Sequence, residues 1–143
     1  MSETPGLQIP AYFSYLKSPV KLVSAPDGGV HAWRLSRKTG GWESVDHLID
    51  DIAFAVGGEV TRLTADRFVQ LTEHDRARYL QGEGAIFALY ETISAVESTA
   101  AEERRPLTIE ERALIAGLRR RTFAMFEEQL REKGDPGADP GVL

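Results

Sequence analysis

The sequence predicts an α+β fold, a small antiparallel β-meander in the N-terminal half packed against a C-terminal helical hairpin. Three observations carry this. Residues 85–104 and 109–133 repeat apolar side chains at helical spacing on either side of a short Arg104-Arg105-Pro106-Leu107-Thr108 connection. Residues 20–36 hold two strand-like runs around Pro26-Asp27-Gly28-Gly29. Strand patterns come early and helical ones late, a segregation that sets the fold apart from alternating parallel α/β architectures.

Residues 1–10 contain Pro5, Gly6 and Pro10 among polar neighbours and read as a flexible arm. A single domain is expected over 11–133, since 143 residues suffice for one core and not for two ordinary ones. Residues 11–17 are aromatic and short, between Pro10 and Pro19, and fit a strand or one helical turn equally. Val20-Lys21-Leu22-Val23 then alternates, and Val30 to Ser36 resumes the strand pattern after the turn. In the second strand His31, Trp33 and Leu35 share the face expected to meet the core, with Val30, Ala32 and Arg34 on the other. Gly40-Gly41 makes another turn, and Trp42-Glu43 begins a short third strand.

Ser44 is placed to cap a helix over 45–56, whose apolar residues 45, 48, 49, 52 and 56 lie on one side, and Gly57-Gly58 closes it. Glu59 to Thr64 reads as a strand. Thr64 and Thr72 each suit the start of a short helix, the second over about 73–81 and ended by Gly82-Glu83-Gly84.

In the first hairpin helix Ile86, Leu89, Tyr90, Ile93, Val96 and Ala100 form one stripe. The second opens with a capping box, Thr108 and Glu111, and carries Leu114, Ile115, Leu118, Thr122, Met125, Phe126 and Gln129 on one face. Ala113, Ala116, Phe123 and Leu130 widen its apolar region beyond one stripe, so the helix is either central to the fold or covered by a partner or a second copy. Residues 134–143, rich in glycine, proline and aspartate, read as a disordered tail.

Composition narrows the chemistry. The chain has no cysteine, which removes thiolate zinc sites, disulfides and cysteine nucleophiles. A net charge of −5 opposes capture of nucleic acid or anionic membrane by the molecule as a whole. The N-terminus lacks a basic region followed by an apolar core, and no window approaches a membrane helix, so a cytoplasmic protein is expected. No cofactor motif is present: none of the glycine-rich stretches has the spacing of a phosphate loop or a dinucleotide fingerprint.

His47 and Asp51, four residues apart on the expected helix, are the nearest approach to a metal pair, and two ligands do not make a site. His74-Asp75-Arg76 after Glu73 gathers an acid, a base and a cation in one turn, where neighbours point about 100° apart rather than converging. Two basic clusters could contact nucleic acid. Arg34, Arg37 and Lys38 accompany Trp33 and Trp42, and Arg119-Arg120-Arg121 lies on the last helix, flanked by Glu110, Glu111, Glu127 and Glu128.

The sequence therefore favours a non-enzymatic protein-interaction role, as an accessory, adaptor or inhibitory protein, with Trp42, Phe123, Phe126 and Leu130 as the contact residues. A nucleic-acid-associated regulator using the arginine clusters is the alternative. A small metal- or ligand-binding enzyme around His47, Asp51 and His74 is the third class.

Overall fold

The computed structural model describes residues 8–54 and 59–141. Five antiparallel strands form one sheet: β1 (Ala11–Tyr15), β2 (Ser18–Ser24), β3 (Val30–Leu35), β4 (Trp42–Ser44) and β5 (Val60–Leu63). Their spatial order is β4-β3-β2-β1-β5, so a four-stranded meander is closed by a strand returning beside the first. The remainder is helical: α1 (Ile49–Ala53), α2 (Ala65–Tyr79), α3 (Ala85–Glu102) and α4 (Ile109–Glu132). This is the α+β fold expected, with α3 and α4 forming the hairpin.

The aromatic segment left open by the sequence is strand β1. It joins β2 through a two-residue turn in which Leu16 and Lys17 both take positive φ, 49° and 69°. Such a turn matches the right-handed twist of the strands, although asparagine and glycine are its preferred residues. Across the sheet, Tyr12, Lys21 and Trp33 are successive partners and share one face. Ala11, Leu22 and Ala32 are partners on the other.

Both faces of the sheet are covered, so the alternation expected of a half-solvated strand is absent. One face, with Ala11, Phe13, Val20, Leu22 and Ala32, packs against Val45, Ile52 and their neighbours. The other, with Tyr12, Trp33, Leu35 and Trp42, packs against Phe68 of α2, Ile86 and Tyr90 of α3, and Phe126 and Leu130 of α4. His31 is displaced from the expected core set; its Nδ1 lies 2.8 Å from an Asp46 carboxylate oxygen at a solvated edge.

Three local expectations are revised. The helix foreseen over 45–56 is a 3₁₀ turn at Asp46–Leu48 followed by the single-turn α1; Ser44 ends β4 instead of capping it, because Val45 is drawn into the core. Val56 and Gly57-Gly58 lie outside the described residues. The two short helices around 64–81 are one continuous helix, α2, capped by Thr64, with Thr72 fully buried in mid-helix. Residues 134–141, expected to be disordered, lie on the sheet: Asp135 accepts from the Trp42 backbone N–H at 3.0 Å, and the Asp139 N–H donates to Glu127 at 2.8 Å. Gly137 is the reason the strap comes so close, since a Cβ there would stand 2.4 Å from Trp42 Cβ. Residues 1–7 of the expected arm, and 142–143 of the tail, lie outside the described residues.

The last helix begins as read. Thr108 accepts from the Glu111 N–H and Glu111 from the Thr108 N–H, a complete capping box. Two Arg105 nitrogens also donate to Glu111, at 2.7 and 3.1 Å. Arg105 and the Thr108 N–H together hold the Glu111 carboxyl down at about 2.

Candidate functional site

The polar heart of the molecule is Arg76. Its side chain is out of solvent, as are those of its partners Glu73 and Glu127. Arg76 donates to Glu73 at 2.8 Å, to Glu127 at 2.5 Å, and through two nitrogens to the Gly40 carbonyl at 3.0 and 2.7 Å. The planar five-donor guanidinium makes these four hydrogen bonds at once, one more than the three donors of a lysine ammonium allow. Trp42 Nε1 donates to Glu127 at 3.0 Å, and the Tyr90 hydroxyl donates to Glu73 at 2.7 Å. Burial, and then the Glu73 charge, push the Tyr90 phenol well above its ordinary range. Gly40 is held at φ 77° with no room for a Cβ beside Phe126 and Leu80, which lets its carbonyl face Arg76. The set ties α2, α3, α4 and the β3–β4 turn together, and every carboxylate in it is answered by a donor.

This geometry relocates the contact residues read from the sequence. Trp42, Phe126 and Leu130 are 7, 8 and 7% exposed and belong to the core between sheet and helices. Phe123 is half-buried against the same cluster, edge-on to Phe68. The C-terminal half of α4, with Phe123, Phe126 and Leu130, is thus covered by the chain itself. Helix α2, foreseen only in fragments, and the C-terminal strap supply the cover.

The arginine clusters disperse. Arg34 stands 3.7 Å from Glu43, Arg37 lies over the Tyr79 ring, and Lys38 is exposed on the turn. Neither tryptophan is free to stack a base: Trp42 is inside and Trp33 is half-buried near the strap. Arg120 pairs with Asp66 at 2.8 Å, Arg121 faces solvent, and Arg119 turns toward Glu97. Glu127, which sequence spacing offers to the neighbouring arginines of α4, serves Arg76 of α2 instead. His47 and Asp51 are exposed, and no group of three or more histidine, aspartate or glutamate side chains is placed to hold a metal among the described residues. His74, on α2, lies 3.5 Å from Asp75, and it forms no such group with His47 and Asp51.

What α4 does leave open is its first half. Residues 112, 115, 116 and 119 fall on the stripe that continues, at helical spacing, to Thr122, Phe126 and Leu130. Beyond the reach of the sheet this stripe becomes one wall of a groove of about 800 Å3 between α2 and the hairpin, with Leu63 and Thr61 of β5 at its end. Leu63, Leu71, Leu107, Ile115 and Ala116 give it an apolar lining. Arg67, His74, Arg112 and Arg119 stand around it with Glu97 as the one acid. Neither Arg67 nor Arg112 has a carboxylate within 4 Å among the described residues, and both are exposed.

Sequence reading missed the groove because Arg67 and Leu71 sit on a helix it had divided, and because α4 alone does not show where cover ends. No helix among the described residues is long and apolar enough to cross a membrane. Comparison with protein-family models, with curated proteins and with solved structures finds no match.

Proposed function

We propose that the protein is a non-enzymatic interaction module whose contact surface is the groove between α2 and the α3–α4 hairpin, and that its occupant is an acidic, partly apolar peptide segment of a partner protein. The carrying observation is an apolar lining rimmed by Arg67, Arg112 and Arg119, with a single acid, on a chain whose net charge is −5. Charge of one sign concentrated against the sign of the whole molecule steers a complementary partner and fixes its register. A small molecule fits less well, because a ligand pocket encloses most of its ligand's surface and this groove has exposed side chains along its wall. Nucleic acid also fits less well: among the described residues no phenylalanine, tyrosine or tryptophan lines the groove to stack a base, and the side chains of Leu63, Leu71, Leu107, Ile115 and Ala116 offer a phosphate no donor.

The test is selection from a random peptide-display library on the intact chain, repeated on Arg67→Glu/Arg112→Glu. The reading expects peptides that combine Asp or Glu with Leu, Ile or Phe, bound more weakly at higher salt and lost by the double variant. Enrichment of basic peptides, of peptides indifferent to the double variant, or of none contradicts it. A single-stranded oligonucleotide retained by wild type and lost by the variant would overturn it in favour of nucleic-acid contact.

A further inference from the structure

The two edges of the sheet are finished differently. At one, the Trp42 N–H on the edge strand β4 is answered by Asp135 of the C-terminal segment at 3.0 Å. The other edge is β5, which pairs with β1 on one side and, among the described residues, with no strand on the other. The register shows which of its backbone groups are left over. Leu16 N–H donates to the Glu59 carbonyl at 2.9 Å, so Glu59 is a hydrogen-bonded position of the β1–β5 ladder. Such positions recur at every second residue of an antiparallel pair, which turns the N–H and C=O of Thr61 and Leu63 toward β1 and those of Val60 and Arg62 away from the sheet. Among the described residues no backbone group answers Val60 or Arg62 on that outer side, and β5 is exposed or half-buried along its length.

An unpaired edge is a template for another extended chain, and folded proteins commonly cover theirs. Side chains of β5 alternate between the two faces of the sheet. Val60 packs with the Phe13 cluster and the Arg62 guanidinium stands 6.0 Å from the Phe13 ring centre, so both take the face away from the helices. Thr61 and Leu63 take the helix face and line the groove between α2 and the hairpin. Open edge and groove are therefore contiguous. A strand laid beside β5 would turn every second side chain toward the groove, where Leu71 and Ile115 offer apolar contact and Arg67 and Arg112 offer positive charge.

We infer that the peptide occupying this groove binds as an extended sixth strand, exchanging backbone hydrogen bonds with Val60 and Arg62 on the β5 edge. The inference rests on the groove reading and adds the conformation and pattern of the occupant. Side chains at every second position enter the groove, whereas a helical occupant would use every third or fourth. Main-chain pairing supplies affinity that is indifferent to sequence, and the lining supplies the preference for acidic and apolar residues. A second copy of the chain is the poorer occupant, because joining two β5 edges brings the exposed Arg62 and Arg67 of both copies together.

The experiment offers the intact chain two fluorescein-labelled peptides of one composition. Glu-Leu-Ser-Leu-Ser-Leu-Glu-Glu has leucine at every second position, and Glu-Leu-Ser-Ser-Leu-Glu-Glu-Leu has it at every third. Binding is read by fluorescence anisotropy and by amide hydrogen exchange. The alternating peptide is expected to bind more tightly and to slow exchange at the Val60 and Arg62 amides. Arg62→Pro removes an outward donor while sparing the bonds to β1, a position where an edge strand accepts proline. Measured against Arg62→Ala, which loses the same charge, it is expected to weaken the alternating peptide about threefold to tenfold, the worth of one hydrogen bond. Equal or tighter binding of the other peptide, or an alternating peptide that binds without protecting Val60 and Arg62, overturns the extended mode and leaves the groove reading standing. Equal affinity of Arg62→Pro and Arg62→Ala for the alternating peptide does the same. Binding of neither peptide counts against the groove itself. A free chain that is dimeric, with Val60 and Arg62 already protected, would assign the edge to a second copy and overturn the inference.

Discussion

Arg76 and Glu127 stand 51 positions apart in the chain and meet at 2.5 Å with both side chains out of solvent. The pair joins α2 to α4 at the point where Trp42 and the C-terminal strap also converge on the same carboxylate. Its Coulomb attraction is offset by the cost of taking two charges out of water, so its consequence is asymmetric. The intact set contributes little net stability, and a broken one is expensive.

Glu127→Ala leaves Arg76 with one carboxylate and leaves Trp42 Nε1 and the Asp139 N–H without their acceptor. The expected loss is about 3–5 kcal/mol, the range for removing one partner of a buried ion pair. Urea unfolding monitored by circular dichroism measures it. A loss below about 1 kcal/mol, the range of an exposed pair, would show that water reaches the set.

Residues 135–141 act as a strap. A chain ending at Lys133 loses the Asp135 acceptor at Trp42 N–H and the Asp139 donor at Glu127. Two hydrogen bonds of about 0.5–1.5 kcal/mol each set the expected drop at roughly 1–3 kcal/mol. Tryptophan emission moves to the red as Trp33 and Trp42 meet water. An unchanged spectrum and midpoint would return this segment to the status of an idle tail.

The Leu16-Lys17 turn carries two side chains in a backbone region that suits glycine and asparagine. Leu16 is 61% exposed, so its replacement removes little packing. Leu16→Asn/Lys17→Gly is expected to raise stability by about 1 kcal/mol with an unchanged urea m-value, mainly by relieving the left-handed backbone. Destabilisation would mean that Leu16 has contacts worth more than the strain.

Alkaline pH separates two buried groups by sign. The folded pKa of Lys21 lies below its unfolded 10.5, so the unfolded chain binds more protons between the two values and stability from this group rises with pH there. Tyr90 is the reverse: its folded pKa is raised above 10.0, so its contribution is intact below pH 10 and lost as pH climbs beyond it. Lys21→Met should remove the rise below pH 10.5, and Tyr90→Phe should soften the fall above pH 10. Unfolding free energies from pH 7 to 11.5 for the three proteins check both; identical slopes would contradict the burial of these groups.

Most of the fold was legible where apolar residues mark the inside. The hairpin, its capping box and the 20–36 strands follow from spacing and turn chemistry alone, because Ile86, Tyr90, Ile93, Phe126 and Leu130 point where their period places them. Helix α2 was not legible in one piece, since it buries Thr72, Glu73, Asp75 and Arg76 beside Phe68, and polar residues ordinarily count as surface. Two signals were available: Glu73 and Arg76 are spaced for a helical ion pair, and Glu127 sits inside an apolar stripe between Phe126 and Leu130. Their mutual contact joins segments too distant for any local pattern to connect. Strand β1 was hidden for a related reason: with Tyr12 packed on one face and Phe13 on the other, no polar alternation remains. The groove depends on where the sheet stops covering α4, which is a property of the assembled fold.

Helix α4 has a C-terminal half that is core and, in the function proposed above, an N-terminal half that is contact surface. Urea unfolding of Leu130→Glu and Arg112→Glu, side by side, tests that division most directly. Leu130→Glu places a charge among Trp42, Phe68 and Phe126, and is expected to lose at least about 4 kcal/mol, whereas Arg112→Glu stays within about 0.5 kcal/mol of wild type. A folded Leu130→Glu protein of near wild-type stability would contradict the division and return the contact surface to the Phe126 and Leu130 face.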